Sequence, residues 1–420
     1  MVRRMRLVLV LVLMATLVIP LTVVGMDLDL RSETYLHLYQ VDQPIGQDTD
    51  HASLYEYISL DVPEAGHPGI SLSLNGWTRL SLADETSGHM TDSNLSSAHA
   101  YYRYNEDRGQ IRLGRFLLIE GTSLEALDGV HLRQSFGRVG LSIFGGSPNS
   151  DSGSKGDRGD LLAGARYFFL SPGKFEVGLN YLTEDGDYRG EEREETGTDL
   201  WVRPSENLEV TGRALYNLTT SKLASDHLSL LLKPSGKTEV ILISSGYRYE
   251  DLFQATTNAA FSGTIMDPDD EVRILTGKVQ WHPVNRLGLF GKLTSTDHRE
   301  DDPGDTNRSE IGLDILPKGL FEKIGLRTAI QTGDQPGNEF SEFRGFAMLT
   351  TGSMRFSLDA MTIMYTEEID GEDQTVQVVG SAGWSSADNL SISGDLRFTK
   401  SPIFEEDIAV ILRARYGFEN

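Results

Sequence analysis

From about residue 26 onward the chain alternates apolar and polar side chains with a period of two, and the i, i+3, i+4 spacing of an amphipathic helix is nearly absent. Ile70, Leu72, Leu74, Gly76, Thr78, Leu80 and Leu82 alternate with Ser71, Ser73, Asn75, Trp77, Arg79 and Ser81. Phe175, Val177, Leu179 and Tyr181 alternate with Glu176, Gly178, Asn180 and Leu182, and the stretches from Leu208 and Leu390 follow the same rule. At the end of the chain Ile408, Val410, Leu412, Ala414, Tyr416 and Phe418 share one face, while Arg413, Arg415 and Gly417 share the other. Such segments predict strands with one oily face and one wet face.

The connectors alternate as well. Short turns such as Ser171-Pro172-Gly173, Pro204-Ser205-Glu206-Asn207, Pro234-Ser235-Gly236 and Pro283-Val284-Asn285 take turns with longer polar segments, predicting hairpins with one short and one long end. Prolines 172, 204, 234, 283 and 317 are all placed in short turns, since a ladder cannot use a residue without an N–H. The long connectors are assigned to residues 184–199, 297–310 and 366–373, which hold much of the acid. Segments of roughly 8 to 14 residues add up to about 22 strands, or as few as about 16 if some pieces are loop. An even number puts both ends of the barrel chain on the short-turn side.

A soluble sandwich also alternates, but so many strands would divide into domains with linkers, and none is visible. In lipid, a sheet survives only by closing on itself, because every backbone donor and acceptor must be paired within the protein. The expected fold is therefore all-β, a transmembrane antiparallel up-and-down β-barrel over residues 26–420. Trp201, Tyr216, Tyr249, Trp281, Phe290, Trp384, Tyr416 and Phe418 near strand ends would suit the membrane interface, although β-propensity alone explains them equally well.

The N-terminus agrees with this reading. Arg3, Arg4 and Arg6 precede an apolar run over residues 7–24 broken by Pro20, which reads as an export signal over residues 1–25. The run is near the length of a spanning helix, so an uncleaved anchor is the alternative. Beyond it no apolar run approaches helix-spanning length, so strands must do any crossing. With 38 basic against 62 acidic residues the formal charge is −24, and −27 once the three signal arginines are gone, which makes nucleic acid an unsuitable partner. The absence of cysteine in an exported chain excludes a small disulfide-stapled fold and covalent haem attachment. The nine histidines are scattered without metal-ligand spacing, and no cofactor or metal is expected. Neither a nucleophile elbow nor a His-Ser cluster stands out, so the chain is not read as an enzyme.

The signal, the alternating hairpins and the last strand, IAVILRARYGF, together resemble Gram-negative outer-membrane porins. The resemblance implies an outer-membrane location, lipid contact, and recognition of residues 408–418 by the outer-membrane assembly machinery. Glu419 and Asn420 depart from that family's habit of ending on the aromatic residue. A second, local similarity joins Arg112-Leu113-Gly114-Arg115-Phe116 and Leu127-Asp128-Gly129-Val130 to the strand and constriction-loop region of general porins.

If the apolar faces meet lipid, the lumen faces carry Arg79, Arg103, Arg133, Arg213, Arg327, Arg355, Arg397, Arg413 and Arg415, giving a basic wall. The segment 118–128 (LIEGTSLEALD) breaks the strand pattern, suggests a short helical turn, and places Glu120, Glu125 and Asp128 between two strands. Folded inward, these acids would face wall arginines and set a transverse field across a constriction. The alternative is an outer loop with solvated acids, the arginines being satisfied by neighbours such as Asp359 and Asp395. The acidic loops could bind divalent cations, but a solvated charge run explains them better.

The leading functional expectation is a passive channel for small hydrophilic solutes or ions, either monomeric or as a homo-oligomer. The runner-up is the barrel sheath of a porin–cytochrome conduit around a multihaem cytochrome partner, motivated by the width of a plugless barrel. A secreted carbohydrate-binding β-protein is the third reading.

Overall fold

The computed structural model describes residues 27–42, 49–82, 91–106, 108–149, 161–185, 193–248, 251, 271–299, 304–334, 337–386, 389–402 and 404–419. The export signal expected over residues 1–25 lies outside them. The first strands are β1 (Asp29–Asp42), β2 (Thr49–Val62), β3 (Ile70–Ser81), β4 (Thr91–Tyr104), β5 (Gly109–Glu120), β6 (Ser123–Phe136) and β7 (Val139–Pro148). Next come β8 (Leu161–Ser171), β9 (Phe175–Asp185), β10 (Arg193–Ser205), β11 (Leu208–Asn217), β12 (Lys222–Ser235), β13 (Thr238–Arg248), β14 (Glu271–Val284) and β15 (Leu287–His298). The ring is completed by β16 (Thr306–Ile315), β17 (Phe321–Gly333), β18 (Phe340–Thr351), β19 (Met354–Ile369), β20 (Glu372–Ser385), β21 (Leu390–Ser401) and β22 (Phe404–Glu419).

Each strand pairs antiparallel with the next, and β22 pairs with β1 from Asp29↔Glu419 to Asp42↔Glu406, so the 22-stranded sheet closes. Closure leaves no free lateral edge between the first and last strands, which is what lipid demands of a sheet. The expected all-β barrel is the observed one, at the upper end of the expected strand number. β1 begins and β22 ends on the side of the short turns, as an even number of strands requires.

Lipid and lumen faces are read from β9. Val177, Leu179 and Tyr181 are exposed, whereas the intervening Gly178, Asn180 and Leu182 are buried, so the exposed apolar series points out of the barrel. Trp281, Trp384 and Phe418 lie in that outer belt near the short-turn rim. Trp201 and Phe290 do not: Trp201 pairs with Glu176 on the inner face, and Phe290 lies under Arg327 and Lys278. Tyr249 is outside the described residues.

Three prolines expected in turns instead sit inside strand ends. Pro204, Pro234 and Pro283 each fall within a register shift, at Val202/Ser205, Leu232/Ser235 and Trp281/Val284. A bulge is the place in a ladder where the missing N–H costs nothing, so the same device recurs at three hairpin bases. The expected acidic loops are also shorter than read from sequence. Residues 366–373 are the ends of β19 and β20 with a turn at Asp370-Gly371, and β9, β10, β15 and β16 take up parts of the other two segments. Strands that run past the bilayer can carry charge on both faces, so charge alone does not mark where a strand ends.

Candidate functional site: an infolded hairpin on the lumen wall

The β5–β6 hairpin leaves the barrel wall partway up. β4 pairs with β5 only from Ala98↔Arg115 to Tyr104↔Gly109, and β6 pairs with β7 only from Leu127↔Pro148 downward. Beyond those limits β5 and β6 pair with each other alone, as far as Glu120↔Ser123. The crease is built from glycine. Gly114 and Gly129 are cross-strand partners, and Gly114 has φ +118°, a conformation side chains rarely adopt. A Cβ on Gly114 would stand 2.3 Å from the Ala98 carbonyl oxygen, and one on Gly129 2.2 Å from that of Gly145. The two short porin-like sequences thus face each other residue by residue, Arg112↔His131, Leu113↔Val130, Gly114↔Gly129, Arg115↔Asp128 and Phe116↔Leu127. The helical turn expected in 118–128 is absent: β5 continues to Glu120, and Gly121-Thr122 makes a tight turn. Alternation there is hidden by the apolar run Leu117-Leu118-Ile119, because both faces of this hairpin are partly apolar.

Folding about the crease lays the inner face of the hairpin on the inner face of the adjoining wall. Phe116, Leu118 and Leu127 pack with Phe144 of β7, Leu162 of β8 and Leu182 of β9 in one buried cluster. Each fully buried side chain of this size contributes about 1.5–3 kcal/mol. The tip reaches β9 and β10, where Asn180 donates to Thr122 and Gly197 leaves room for the Thr122 hydroxyl. The same fold turns the opposite, lipid-parity face toward the lumen, so Leu117, Ile119 and Leu124 are 52%, 71% and 60% exposed there.

Charge fixes the tip in place. Glu120, 2% exposed, accepts from Arg133 Nη1 at 2.7 Å and from Arg166 Nη1 at 3.1 Å, with His131 Nε2 at 3.3 Å. Arg166 also meets Glu176 at 2.6 Å and Asp199 through both Nε and Nη2. A second group holds the other hairpin strand, with Arg193 of β10 bonded to Glu125 at 2.9 Å, to Glu195 at 2.9 Å and to Glu184 at 3.2 Å. Arg115 binds Asp128 with two contacts of 2.6 Å across the crease and donates to the Leu95 carbonyl at 2.9 Å. Buried groups in such surroundings are costly unless paired, and here the hairpin acids and wall arginines satisfy one another.

Of the residues singled out in the sequence, Glu120, Glu125 and Arg133 meet at this site, and Asp128 lies at its crease. Arg79, Arg103, Arg213 and Arg355 face the lumen elsewhere. Arg79 and Arg103 stack on Tyr55 and Tyr101, Arg213 is opposite Asp199 in the β10–β11 ladder, and Arg355 lies 3.7 Å from Glu322. The wall is mixed, not basic: Arg344 pairs with Asp359, Arg308 with Glu342, Lys323 with Asp314, Arg397 with Asp407, and Arg413 and Arg415 with Glu33. The alternative of arginines satisfied by neighbouring carboxylates holds for these pairs, Asp359 being the partner of Arg344. Arg166, Arg193 and His131 belong to the site and were not singled out, and Arg112 was noted only as part of the porin-like stretch 112–116. Arg193 falls in a stretch read as loop, and nothing in the sequence around Arg166 tells which side chain will lie over it. Among the described residues no group of three or more His, Asp or Glu could hold a metal ion.

No family model and no curated protein matches the chain. Solved structures do. The translocation pore of the P pilus usher PapC superposes with a TM-score of 0.53 at 9% identity, covering 93% of this chain and 99% of that one. OccAB2 of Acinetobacter baumannii gives 0.49 at 8% identity over 94% and 98% of the two chains. A BenF-like porin from Pseudomonas fluorescens Pf-5 gives 0.48 at 7% identity over 94% and 99%. At such identities the usher pore supports the barrel fold alone.

Proposed function

We propose that the chain is an outer-membrane channel through which small hydrophilic solutes or ions diffuse passively, narrowed by the β5–β6 hairpin. The observation that carries this reading is the combination of a closed ring whose outer face is apolar with an inner face that carries charged pairs such as Arg308–Glu342, Arg344–Asp359, Arg397–Asp407 and Arg413–Glu33. Such a lumen holds water, and the hairpin occupies part of its cross-section without a separate plug domain among the described residues. The similarity to the usher translocation pore, and to proteins named as porins, agrees with a channel in the Gram-negative outer membrane. The ion clusters around Glu120 and Glu125 serve in this reading as fasteners that keep the constriction in place.

The test is single-channel recording of the refolded protein in a planar bilayer. Stable ohmic steps are expected, and a folded barrel that never conducts would overturn the reading.

A further inference from the structure

The infolded hairpin presents to the lumen a surface unlike the rest of the wall. Leu117, Ile119 and Leu124 form an exposed apolar shelf, although lumen faces elsewhere are dominated by polar and charged groups. A cavity of about 290 Å³ has Leu117 and Ile119 of the shelf in its lining, together with Gln110, Arg112, Glu120 and Arg133. Arg133 and the nearby Arg166 are each matched by carboxylates. Arg112 is not. It donates to the Leu117 carbonyl at 3.3 Å, stacks 5.4 Å from Tyr101 and 5.3 Å from Phe116, and has no ion-pair partner among the described residues. Its Nε is buried without a hydrogen-bond partner.

A guanidinium without an ion-pair partner, set beside a water-exposed apolar shelf, is complementary to an anionic head carried on an apolar body. We propose that this is a binding site for a small anionic amphiphile, a monocarboxylate with an aliphatic body, its head on Arg112 and its body on Leu117, Ile119 and Leu124. The planar fork of Arg112 suits a carboxylate, and Gln110 offers an amide alongside. Burying the body against the shelf removes apolar surface of both partners from water. The inference deepens the channel reading by naming a solute class, and rests on it only in taking the lumen to be reachable from water.

Isothermal titration of hexanoate into the full chain in nanodiscs, with empty discs subtracted, tests the proposal. Acetate supplies the head without the body, and hexan-1-ol the body without the charge. Hexanoate is expected to bind saturably at one site, at least tenfold more tightly than either control. Arg112→Gln and Ile119→Asn should each weaken it at least fivefold, while Arg112→Lys retains part of the affinity. Ile119 is solvent-exposed, so its variant tests the site without disturbing the fold, and heat-modifiable gel migration checks that each barrel has formed. Absence of hexanoate binding, equal binding of acetate, or unchanged affinity in both variants would overturn the proposal. Binding by a barrel that fails to conduct would remove the channel reading alone, and conduction without binding would remove this proposal alone.

Discussion

Removing the charge of Glu120 should release the hairpin from the wall. In Glu120→Gln the buried cluster of apolar side chains remains, but the charge-assisted bonds from Arg133 at 2.7 Å and Arg166 at 3.1 Å become neutral-acceptor bonds. Both arginines keep Glu176, and Arg166 keeps Asp199, so neither is left unpaired, and the loss stays below the ~3–5 kcal/mol of a stranded buried charge. One bond to a charged group is worth about 1.5–3 kcal/mol, which corresponds to an increase of roughly 10- to 100-fold in the undocked population. The chain has no cysteine, so a single Leu182→Cys beneath the hairpin is a clean reporter. When docking and undocking are fast, its labelling by a water-soluble maleimide reads that population directly. Labelling should accelerate by the same factor in Leu182→Cys/Glu120→Gln, whereas Ile119→Cys, already facing water, should label equally fast with either residue at 120. Equal rates at position 182 in the two backgrounds would refute the fastening role of Glu120.

Gly129→Val should disrupt the crease outright, because its Cβ has no room beside the Gly145 carbonyl; Leu182→Cys should then label as fast as an exposed thiol, and protection would contradict the geometry. At the closing seam, Glu33→Gln weakens contacts to Arg413 and Arg415 that are largely solvated, so denaturant titration of the refolded barrel should show a loss below about 1 kcal/mol. A loss above about 2 kcal/mol would show the seam to be held by these pairs. Arg355→Glu adds negative charge at an exposed lumen position and should shift the reversal potential under a salt gradient toward cation preference; an unchanged value would remove Arg355 from the conduction path.

Barrel and strand parity were legible because period-two alternation reports the medium on each side of a strand, and lipid enforces it over the whole ring. Every arginine singled out on the polar faces does lie on the inner face. What could not be read was the partner of each. Arg344 of β18 takes Asp359 of β19, which lies opposite Phe346 and so reaches Arg344 diagonally, because neighbours across a ladder depend on register. The segment around Glu120 drew notice as a break in the pattern, yet its cause is local to two glycines. Gly114 and Gly129 let a hairpin fold over, and the residues it covers, Arg166, Leu162 and Leu182, come from strands that read as ordinary wall. A fold of one sheet face onto another exchanges inside for outside, and no periodicity within the hairpin announces it.

The central claim, a water-filled barrel narrowed by its own hairpin, is tested most directly by comparing single-channel conductance of the full chain with a variant in which residues 116–127 are replaced by a two-residue turn. The account predicts stable steps in both and a larger step in the shortened protein. Equal conductance, or silence from both folded barrels, would contradict it.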